Sequence, residues 1–477
     1  MQNKWTLVIV FAVAGFLRFY NLGYSDYQGD EIKALYQPKE VSSARFFLDQ
    51  RKGPMQFLVT AAFKYGSNDY RDRGLVRLPF ALAGFGSVVV FYFLAKSLFN
   101  ANVALYSTLF FTTNGLLIAF SRIVQYQSLV IFFGLVAIYL SKRYVDTFRA
   151  RYLVVALTSL AVSILAHYDG IFFTPVILGL LVTAYTKNRI VLKHVLFSII
   201  PFAVLTGAFY VPFVLNLSQS TADYWAGRIS GDVSSKISSS RYLFAVYGPV
   251  YVLGIYGVLG FVGLVLLGGF KKAHLSVLIW FLLPFVLLEG VISIPGTHIY
   301  TYLIPTVLAM GFALYHIELL GQKVIKGCAA VFTGIVWLLL IFLTVQSYYI
   351  FVDHKLEYPW ENKKFLIWTL SKPSTAYHLS LFGFPYHRYW TEVSDFIKVD
   401  AKYSVYSTNE RTTISDYYVK LGADSKDLGY YIYVYRPQNL SDGDGGKNKA
   451  NHNGANLVRA FKDRDRVVSE IYSPPLR

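Results

Sequence analysis

The sequence predicts an α-helical polytopic membrane protein with about eleven transmembrane helices, interfacial helices in the first outer loop and a small C-terminal α/β domain. Three observations lead to this prediction. Of the 477 residues, 55% are hydrophobic and only 15% are charged. Apolar segments of about 20 residues, enough for a helix to cross a bilayer, recur as far as residue 350. After residue 351 the sequence is more polar, and parts of it alternate as strands do.

The predicted spans follow one another closely after a long first loop. They cover residues 5–22, 75–95, 102–120, 124–141, 152–167, 169–186, 191–215, 243–268, 274–293, 298–317 and 327–350. No small-residue cleavage site follows the first span, so we interpret it as a retained helix rather than a removed signal peptide. An odd number of spans places the two termini on opposite sides of the membrane.

Basic residues in the short connectors predict the orientation of the chain. One set of connectors carries Lys96, Lys142, Arg143, Arg149, Arg151, Lys187, Arg189, Lys193, Lys271, Lys272, Lys323 and Lys326. The facing turns contribute only Arg122. Because basic connectors stay inside, we expect a cytoplasmic N-terminus and an extracytoplasmic first loop, active site and C-terminus, in the cytoplasmic (inner) membrane of a cell envelope.

The net charge of +17 has a second source in the first loop, residues 24–74. This loop carries the basic residues Lys33, Lys39, Arg45, Arg51, Lys52, Arg71 and Arg73, which suit membrane lipids or phosphate groups rather than nucleic acid. Its aromatic and charged residues alternate, and residues 55–65 form an apolar run too short to span. We therefore predict two or three helices lying along the membrane interface, with Pro54 at the start of one.

The tail is predicted to be a separate extracytoplasmic domain of residues 351–477, after a catalytic membrane module of residues 1–350. Stretches 403–406 and 430–435 and the region of 471–473 are predicted as strands, with a helix over 414–421. Residues 441–454 form a Gly- and Asn-rich loop that is faintly similar to a calcium loop but lacks the remaining ligand spacing. The single cysteine, Cys328, has no partner within the chain and is expected to fill space.

Adjacent carboxylates in Gly29-Asp30-Glu31 lie where the first span gives way to the outer loop. A carboxylate at the boundary of water and lipid can take a proton from a substrate hydroxyl while apolar substrate parts remain in the bilayer. A solvated loop acid or helix cap is the plainer alternative.

The outer ends of other spans supply groups that could complete a site beside this pair. These are Arg122, Gln125, Tyr126, Gln127, His167, Tyr168, Asp169, His298, Tyr300 and Tyr302. Arginine and histidine suit a phosphate, amides and phenols suit sugar hydroxyls, and tyrosine rings suit the walls of a pocket. Aromatic belt residues and an orientation charge are the plainer alternatives for these groups. Glu289 is a weaker candidate, and Arg18 is expected to pair with one of the acids.

These residues occur in segments that resemble the lipid-dependent glycosyltransferases of the GT-C type, in particular protein O-mannosyltransferases and aminoarabinose transferases. The segments read "GFLRFYNLG" at 15–23, "GDEIKALY" at 29–36, "RLPFALAGFGSVVVFYFLAKSLF" at 77–99, "FSRIVQYQSLVIFF" at 120–133, "HYDGIF" at 167–172 and "GTHIYTYLIP" at 296–305. The resemblance implies that Asp30 is catalytic and Glu31 is its companion. Gln127 stands where many relatives have an acid, and His298 stands where many have arginine or lysine.

The resemblance implies transfer of one sugar from a polyprenyl-phosphate donor to a hydroxyl on a lipid, glycan or protein, with inversion. In this hypothesis Asp30 and Glu31 form the catalytic pair, with Asp30 as the base. Donor and phosphate binding falls to Arg122, His298, Tyr300 and Tyr302, and sugar or acceptor binding to Gln125, Tyr126, Gln127, His167 and Asp169. The sequence contains no nucleotide-binding loop, and none is needed, because the phosphate bond of the donor supplies the activation. No cofactor is assigned, and a divalent metal stays open. The alternative is a lipid-linked-sugar transporter or flippase without transferase activity, although no clear repeat of the two halves supports it.

Overall fold

The computed structural model describes residues 4–38, 42–66, 70–186, 191–231, 252–269, 275–324, 328–355, 364–365, 368–369, 383–423, 428–438 and 455–474. Several features discussed above lie outside these residues. They are the connector positions Lys187, Arg189, Lys271, Lys272 and Lys326, the first-loop residue Lys39, and the loop of residues 441–454.

Each predicted membrane span contains helix in the structure. The helices of the membrane part are α1 Lys4–Phe19, α5 Arg73–Leu98, α6 Ala101–Thr113, α7 Gly115–Ser121, α8 Gln127–Thr147, α9 Ala150–Ala166, α10 Thr174–Tyr185, α11 Leu192–Leu215, α13 Val258–Gly268, α14 Leu275–Phe285, α15 Tyr300–Val324 and α16 Cys328–Phe351. Six helical stretches in the described part of the chain are long and apolar enough to cross a membrane, and α6 with α7 makes a seventh. Shorter apolar helices lie in three of the four other predicted spans, and the 16-residue helix α1 lies in the first one. The prediction of a polytopic helical membrane protein is confirmed.

One predicted span is broken in the middle. Helices α6 and α7 meet at Asn114 with a bend of 62°. The side chain of Asn114 accepts a hydrogen bond from Leu117 N and so caps α7. The break frees carbonyls of α6, and they find partners in neighbouring helices: Arg18 donates to Thr112 O at 3.3 Å and Ser347 donates to Thr113 O at 2.6 Å. Arg18 therefore bonds backbone carbonyls, and the expected ion pair with an acid is absent among the described residues.

The first outer loop contains three short helices, in agreement with the prediction. They are α2 Gly29–Ala34, α3 Ser43–Leu48 and α4 Met55–Gly66. Buried Tyr36, which follows α2, joins them: its ring packs against Phe46 and Phe47 of α3, and its backbone N–H donates to Thr60 of α4. A further helix, α12 Gln219–Ser230, follows α11.

The C-terminal part is a small α/β domain. Its five-stranded sheet has the order β4-β3-β5-β7-β6, from β3 Val405–Thr408, β4 Gly422–Ala423, β5 Tyr430–Val434, β6 Asn456–Asp463 and β7 Arg466–Ser473. Strand β3 is parallel to both β4 and β5, and the other pairs are antiparallel. Helices α17 Trp390–Asp400 and α18 Thr412–Tyr418 pack on it. A two-stranded ribbon, β1 Lys364–Phe365 with β2 Trp368–Thr369, lies earlier in the chain.

The C-terminal domain is attached directly to the segment that carries the acidic pair. The carboxylate of buried Asp26 accepts hydrogen bonds from the Arg388 backbone N–H at 2.6 Å and from His387 Nδ1 at 3.0 Å, and it also pairs with Arg73. The backbone N–H of Asp26 donates to Tyr386 O at 3.0 Å. The position of the first loop therefore depends on the tail as well as on the membrane helices.

Candidate active site

The two acids of the Asp30-Glu31 pair have different surroundings. Glu31 is completely buried and forms an ion pair with Arg77 of α5, with Glu31 Oε1 2.8 Å from Arg77 Nε. The same oxygen accepts a hydrogen bond from Val124 N, and the other accepts from Gln28 N, which closes a capping box at the start of α2. Glu31 thus has a structural role that its position in the sequence did not reveal.

Asp30 keeps an accessible carboxylate. Its side chain is 26% exposed, and Lys33 Nζ lies 3.6 Å from its Oδ1, one turn along α2. A pair this open contributes little to stability and leaves the carboxylate free to exchange partners. The negative charge of Asp30 also acts on Lys52, across the first loop.

A largely apolar cavity of about 570 Å³ lies beside this loop. Its walls come from α9, α11 and α12, from the turn between α9 and α10, from the segment between α14 and α15, and from first-loop residues. Apolar side chains make up most of the lining, and Arg51, Lys52, Arg228, Asp169 and His298 are its charged or titratable members. The apolar lining residues are Ile164, Ile171, Phe172, Phe209, Phe213, Val214, Trp225, Ile229, Leu288, Ile292, Ile294 and Pro295. Such a cavity suits a ligand with a long apolar part and an anionic group.

Lys52 is held at this cavity by a close approach of backbone to backbone. The next residue, Gly53, lies so near the C-terminal end of α9 that an added Cβ would sit 1.9 Å from Leu165 O, so only glycine fits. Lys52 Nζ lies 4.9 Å from the centre of the Tyr126 ring. Desolvation lowers the pKa of Lys52, while the charge of Asp30 raises it and the charges of Lys33 and Arg228 lower it further. An anion in the cavity would stabilise the charged ammonium.

The turn between α9 and α10 meets the turn before α15 in a compact polar cluster around Asp169. His298 Nδ1 donates to Asp169 Oδ2 at 2.5 Å, and the Tyr300 hydroxyl donates to the same oxygen at 2.5 Å. His167 Nδ1 lies 3.1 Å from Asp169 Oδ1. The ring of His167 stacks on that of Tyr126, with centroids 4.0 Å apart. We call His167, Asp169 and His298 the histidine–aspartate cluster.

The histidine–aspartate cluster has a donor set that a divalent cation could use. One ligand atom from each residue lies within 4.8 Å of the others, and two imidazoles with one carboxylate suit ions of the zinc type. His167 Nδ1 accepts a hydrogen bond from the Asp169 backbone N–H, so this nitrogen is an acceptor. The same nitrogen lies 3.1 Å from Asp169 Oδ1, which is also an acceptor. Two acceptors at that distance favour a proton or a cation between them. The residues present therefore fit a metal ion.

The other residues predicted for the site are not all brought to this cavity. The guanidinium of Arg122 donates to Leu17 O at 3.0 Å and to Arg18 O at 3.3 Å, at the C-terminal end of α1, and Arg122 is not part of the cavity wall. It therefore stabilises the end of a helix dipole, and its predicted role in phosphate binding beside His298 stays a prediction. The hydroxyl of Tyr302 donates to Glu289 Oε1 at 2.6 Å rather than to Asp169. Gln127 Nε2 donates to Gln125 Oε1 at 3.1 Å, and both amides are buried.

Sequence reasoning missed the cations that do reach the cavity. Arg51 and Lys52 were counted only as part of a basic loop, and Arg228 of α12 was not considered. Arg228 Nε donates to Ile294 O at 2.9 Å, and its backbone carbonyl accepts from Ile294 N at 3.0 Å, which ties α12 to the turn that carries His298. The Gly53 that follows Lys52 was the one available signal, because a glycine in an otherwise amphipathic loop suggests a close backbone approach.

Comparison with known proteins gives a sequence match and several fold matches. Residues 52–211 match the family described as dolichyl-phosphate-mannose-protein mannosyltransferase. The crystal structure of ArnT from Cupriavidus metallidurans bound to undecaprenyl phosphate is similar over 99% of this chain and 98% of its own, with a TM-score of 0.56 and 13% identity. The chain therefore has the fold of the membrane glycosyltransferases of the GT-C type. The resemblance that the sequence motifs predicted is confirmed, which favours the transferase over the transporter alternative.

Two further structures share the fold of this chain. The archaeal oligosaccharyltransferase AglB from Archaeoglobus fulgidus, in complex with an inhibitory peptide and a dolichol-phosphate, is 10% identical over 90% of this chain and 69% of its own, with a TM-score of 0.52. The arabinofuranosyltransferase AftD from Mycobacteria is 12% identical over 100% of this chain and 42% of its own, with a TM-score of 0.53. At these identities the likeness shows the fold. No curated protein matches the chain in sequence.

Proposed function

We propose that this glycosyltransferase moves a sugar from a polyprenyl-phosphate carrier to a hydroxyl of a lipid, glycan or protein, with inversion at the anomeric carbon. The observation that carries the proposal is an apolar cavity with cations at its wall and an accessible carboxylate nearby. The similar ArnT structure holds undecaprenyl phosphate, and AglB holds a dolichol-phosphate and a peptide. A donor of the same chemical class would place its isoprenoid among the apolar lining residues.

Asp30 acts as the general base in this proposal. Its exposed carboxylate accepts the proton of the acceptor hydroxyl while the sugar–phosphate bond breaks. Negative charge then develops on the departing phosphate, and preorganised donors beside it are worth most at that moment. Lys52, Arg51 and Arg228 line the cavity and supply these donors together with His298, in place of Arg122.

The histidine–aspartate cluster would orient the sugar and the phosphate. Tyr300 keeps Asp169 fixed, and Tyr126 covers His167, so both imidazoles are held by packing as well as by hydrogen bonds. A divalent ion bound by His167, Asp169 and His298 would neutralise charge on a phosphate oxygen. Gln125 and Gln127 lie next to Tyr126 along the chain and are proposed to contact sugar or acceptor hydroxyls through rearrangement of their mutual hydrogen bond.

Release of the carrier tests the proposed reaction. Purified protein incubated with a polyprenyl-phosphate-linked sugar and a hydroxyl acceptor should release polyprenyl phosphate and glycosylated acceptor in equal amounts. A protein that moves the intact sugar-lipid between leaflets of a vesicle without releasing polyprenyl phosphate would contradict the proposal and support transport.

We further propose a cytoplasmic N-terminus in the inner membrane, with a membrane module of residues 1–350 and an outer domain of residues 351–477. Exposed Arg149, between α8 and α9, and exposed Asp465, between β6 and β7, report on the two sides of the membrane. In a Cys328→Ser background, an impermeant thiol reagent should label Asp465→Cys and not Arg149→Cys in intact cells. The reverse pattern would place the active site in the cytoplasm.

A further inference from the structure

We infer that Glu31 and Arg77 are positioning residues that set the direction of the Asp30 carboxylate, rather than groups that take part in proton transfer. The inference rests on the proposed role of Asp30 as the base. It departs from the sequence interpretation, which put Glu31 beside Asp30 in the catalytic pair.

The hydrogen-bonding capacity of the Glu31 carboxylate is taken up by the protein. Oε1 accepts from Arg77 Nε at 2.8 Å and from Val124 N at 2.9 Å. Oε2 accepts from Arg77 Nη2 at 2.9 Å and from Gln28 N at 3.0 Å. Four donors surround a carboxylate with no solvent exposure, so neither oxygen is left to face a substrate.

The Arg77 guanidinium is saturated in the same way. Besides its two bonds to Glu31, Nη1 donates to Leu22 O at 3.0 Å and to Ser25 O at 2.9 Å, and Nη2 donates to Asp26 O at 3.1 Å. A guanidinium has five N–H groups, so every donor of Arg77 is used. The Arg77 side chain of α5 therefore holds the segment between α1 and α2. Glu31 also bonds Val124, which attaches the turn between α7 and α8 to the same group.

Helix α2 needs such an anchor because it has only six residues. A helix this short is not stable by itself, so tertiary contacts decide its orientation. Asp30 and Glu31 are consecutive, and consecutive side chains on a helix differ in direction by about 100°. Fixing Glu31 toward Arg77 in the interior consequently fixes Asp30 toward the partly exposed side, where Lys33 and Lys52 lie.

The test compares turnover with donor binding in Glu31→Gln, Arg77→Lys and the double variant Glu31→Gln/Arg77→Lys. Misplacing a catalytic group by about 1 Å can cost about a hundredfold. We expect kcat to fall about tenfold to a hundredfold in each single variant while the donor KM changes less than about threefold, because the anchor touches neither substrate. The double variant should lose no more than the worse single variant, since both act through one contact. Because Asp30 remains the base, the pH profile of kcat/KM should have the same shape in all three variants as in the parent.

A milder pair of variants guards against misfolding. Gln28→Pro removes the N–H that Glu31 Oε2 accepts, and the φ of −86° at Gln28 is compatible with proline. Gln28→Ala keeps that N–H and loses only the side-chain bond to Phe384 O. We expect kcat of Gln28→Pro to be several-fold below that of Gln28→Ala. Arg18→Gln removes a buried guanidinium elsewhere and should lower the melting temperature without changing the pH profile.

Two results would overturn the inference. One is Glu31→Gln falling to the level of Asp30→Asn while Arg77→Lys keeps the parent kcat, which would place Glu31 in the chemistry itself. The other is equal kcat for Gln28→Pro and Gln28→Ala. Failure of the proposed function looks different, because Asp30→Asn would then keep the parent turnover whatever the Glu31 variants do.

Discussion

Two buried acids at the same end of the membrane bundle have opposite kinds of partner. Glu31 is paired with the guanidinium of Arg77, and Asp169 is paired with the imidazoles of His167 and His298. Arginine stays charged at every relevant pH and fixes a carboxylate permanently, whereas histidine can lose its proton or bind a metal. The partner thus distinguishes the two acids. Glu31 is held permanently by an arginine, whereas the histidines that contact Asp169 can change their protonation or bind a metal during a reaction.

Asp30 differs from both acids because its carboxylate is partly exposed and only loosely paired with Lys33. A general base must reach a substrate proton, and neither Glu31 nor Asp169 can do so without breaking strong contacts. In our proposal, the three acids therefore divide into a base, an anchor and a ligand for a metal or a sugar.

The largest effect is expected at Asp30. If Asp30 is the base, Asp30→Asn should cut turnover by roughly two to four orders of magnitude with donor binding nearly intact, the range for a lost general base. The measurement is kcat for transfer together with donor affinity. Asp49→Asn is the matched control, because it removes another first-loop acid, which is exposed and paired with Arg45. Activity of Asp30→Asn within a few-fold of the parent would remove the base assignment.

The next effect concerns the histidine–aspartate cluster. Asp169→Asn leaves both histidines without a carboxylate, so we expect a loss of about tenfold to a hundredfold in transfer, as for other disturbed metal-site partners. Metal binding has its own readout. Titration with Zn²⁺ or Mn²⁺ should raise the melting temperature of the parent and not that of Asp169→Asn. Equal shifts in the two proteins would mean that the metal binds elsewhere.

A smaller effect should separate Lys52 from Arg122. Lys52 lines the cavity, so Lys52→Ala should weaken donor binding about tenfold, the equivalent of one modest charged hydrogen bond. Arg122→Ala should instead lower the stability by about 2–3 kcal/mol, because its bonds go to carbonyls of α1. Donor affinity and melting temperature are measured for both variants. Weakened donor binding by Arg122→Ala without a change in melting temperature would restore Arg122 to the phosphate site.

The fold could be predicted from the sequence more fully than the site. Apolar segments report directly on helices in a membrane, and the motif segments carried the resemblance to GT-C enzymes. The division of labour between Asp30 and Glu31 could not be predicted, because it depends on Arg77, which is distant in the chain. Lys52 stood among several basic loop residues with nothing local to distinguish it. In the tail, α17 and strand β6 were not predicted. Trp390, Val393 and Ile397 give α17 an apolar face that sequence reasoning overlooked. Strand β6 lies at the edge of the sheet and none of its residues is buried, so it lacks a clear apolar face.

The smallest expected effect concerns the junction of Asp26 with the tail domain. This junction holds the first loop from the outer side, whereas Glu31 holds the same loop from the interior of the membrane part. Desolvation raises the pKa of Asp26, but His387, Arg73 and the Arg388 N–H outweigh it and lower the pKa to about 2. Desolvation lowers the pKa of His387, and the charge of Arg73 also lowers it. The carboxylate of Asp26 and the charge of Glu392 raise it by more, so the pKa of His387 is raised above 6.5.

The sign of the pH dependence follows from these two directions. Asp26 contributes stability that is present above its ordinary pKa of 3.8 and is lost as pH falls toward about 2, which amounts to about 2 kcal/mol. His387 contributes stability that is fully present below pH 6.5 and is lost as pH rises through its raised pKa. The melting temperature should therefore be highest between about pH 4 and pH 6.5 and fall on both sides. His387→Gln should abolish the alkaline decline and weaken the acid one, because His387 also lowers the pKa of Asp26. An unchanged alkaline decline in that variant would show that the junction does not depend on His387.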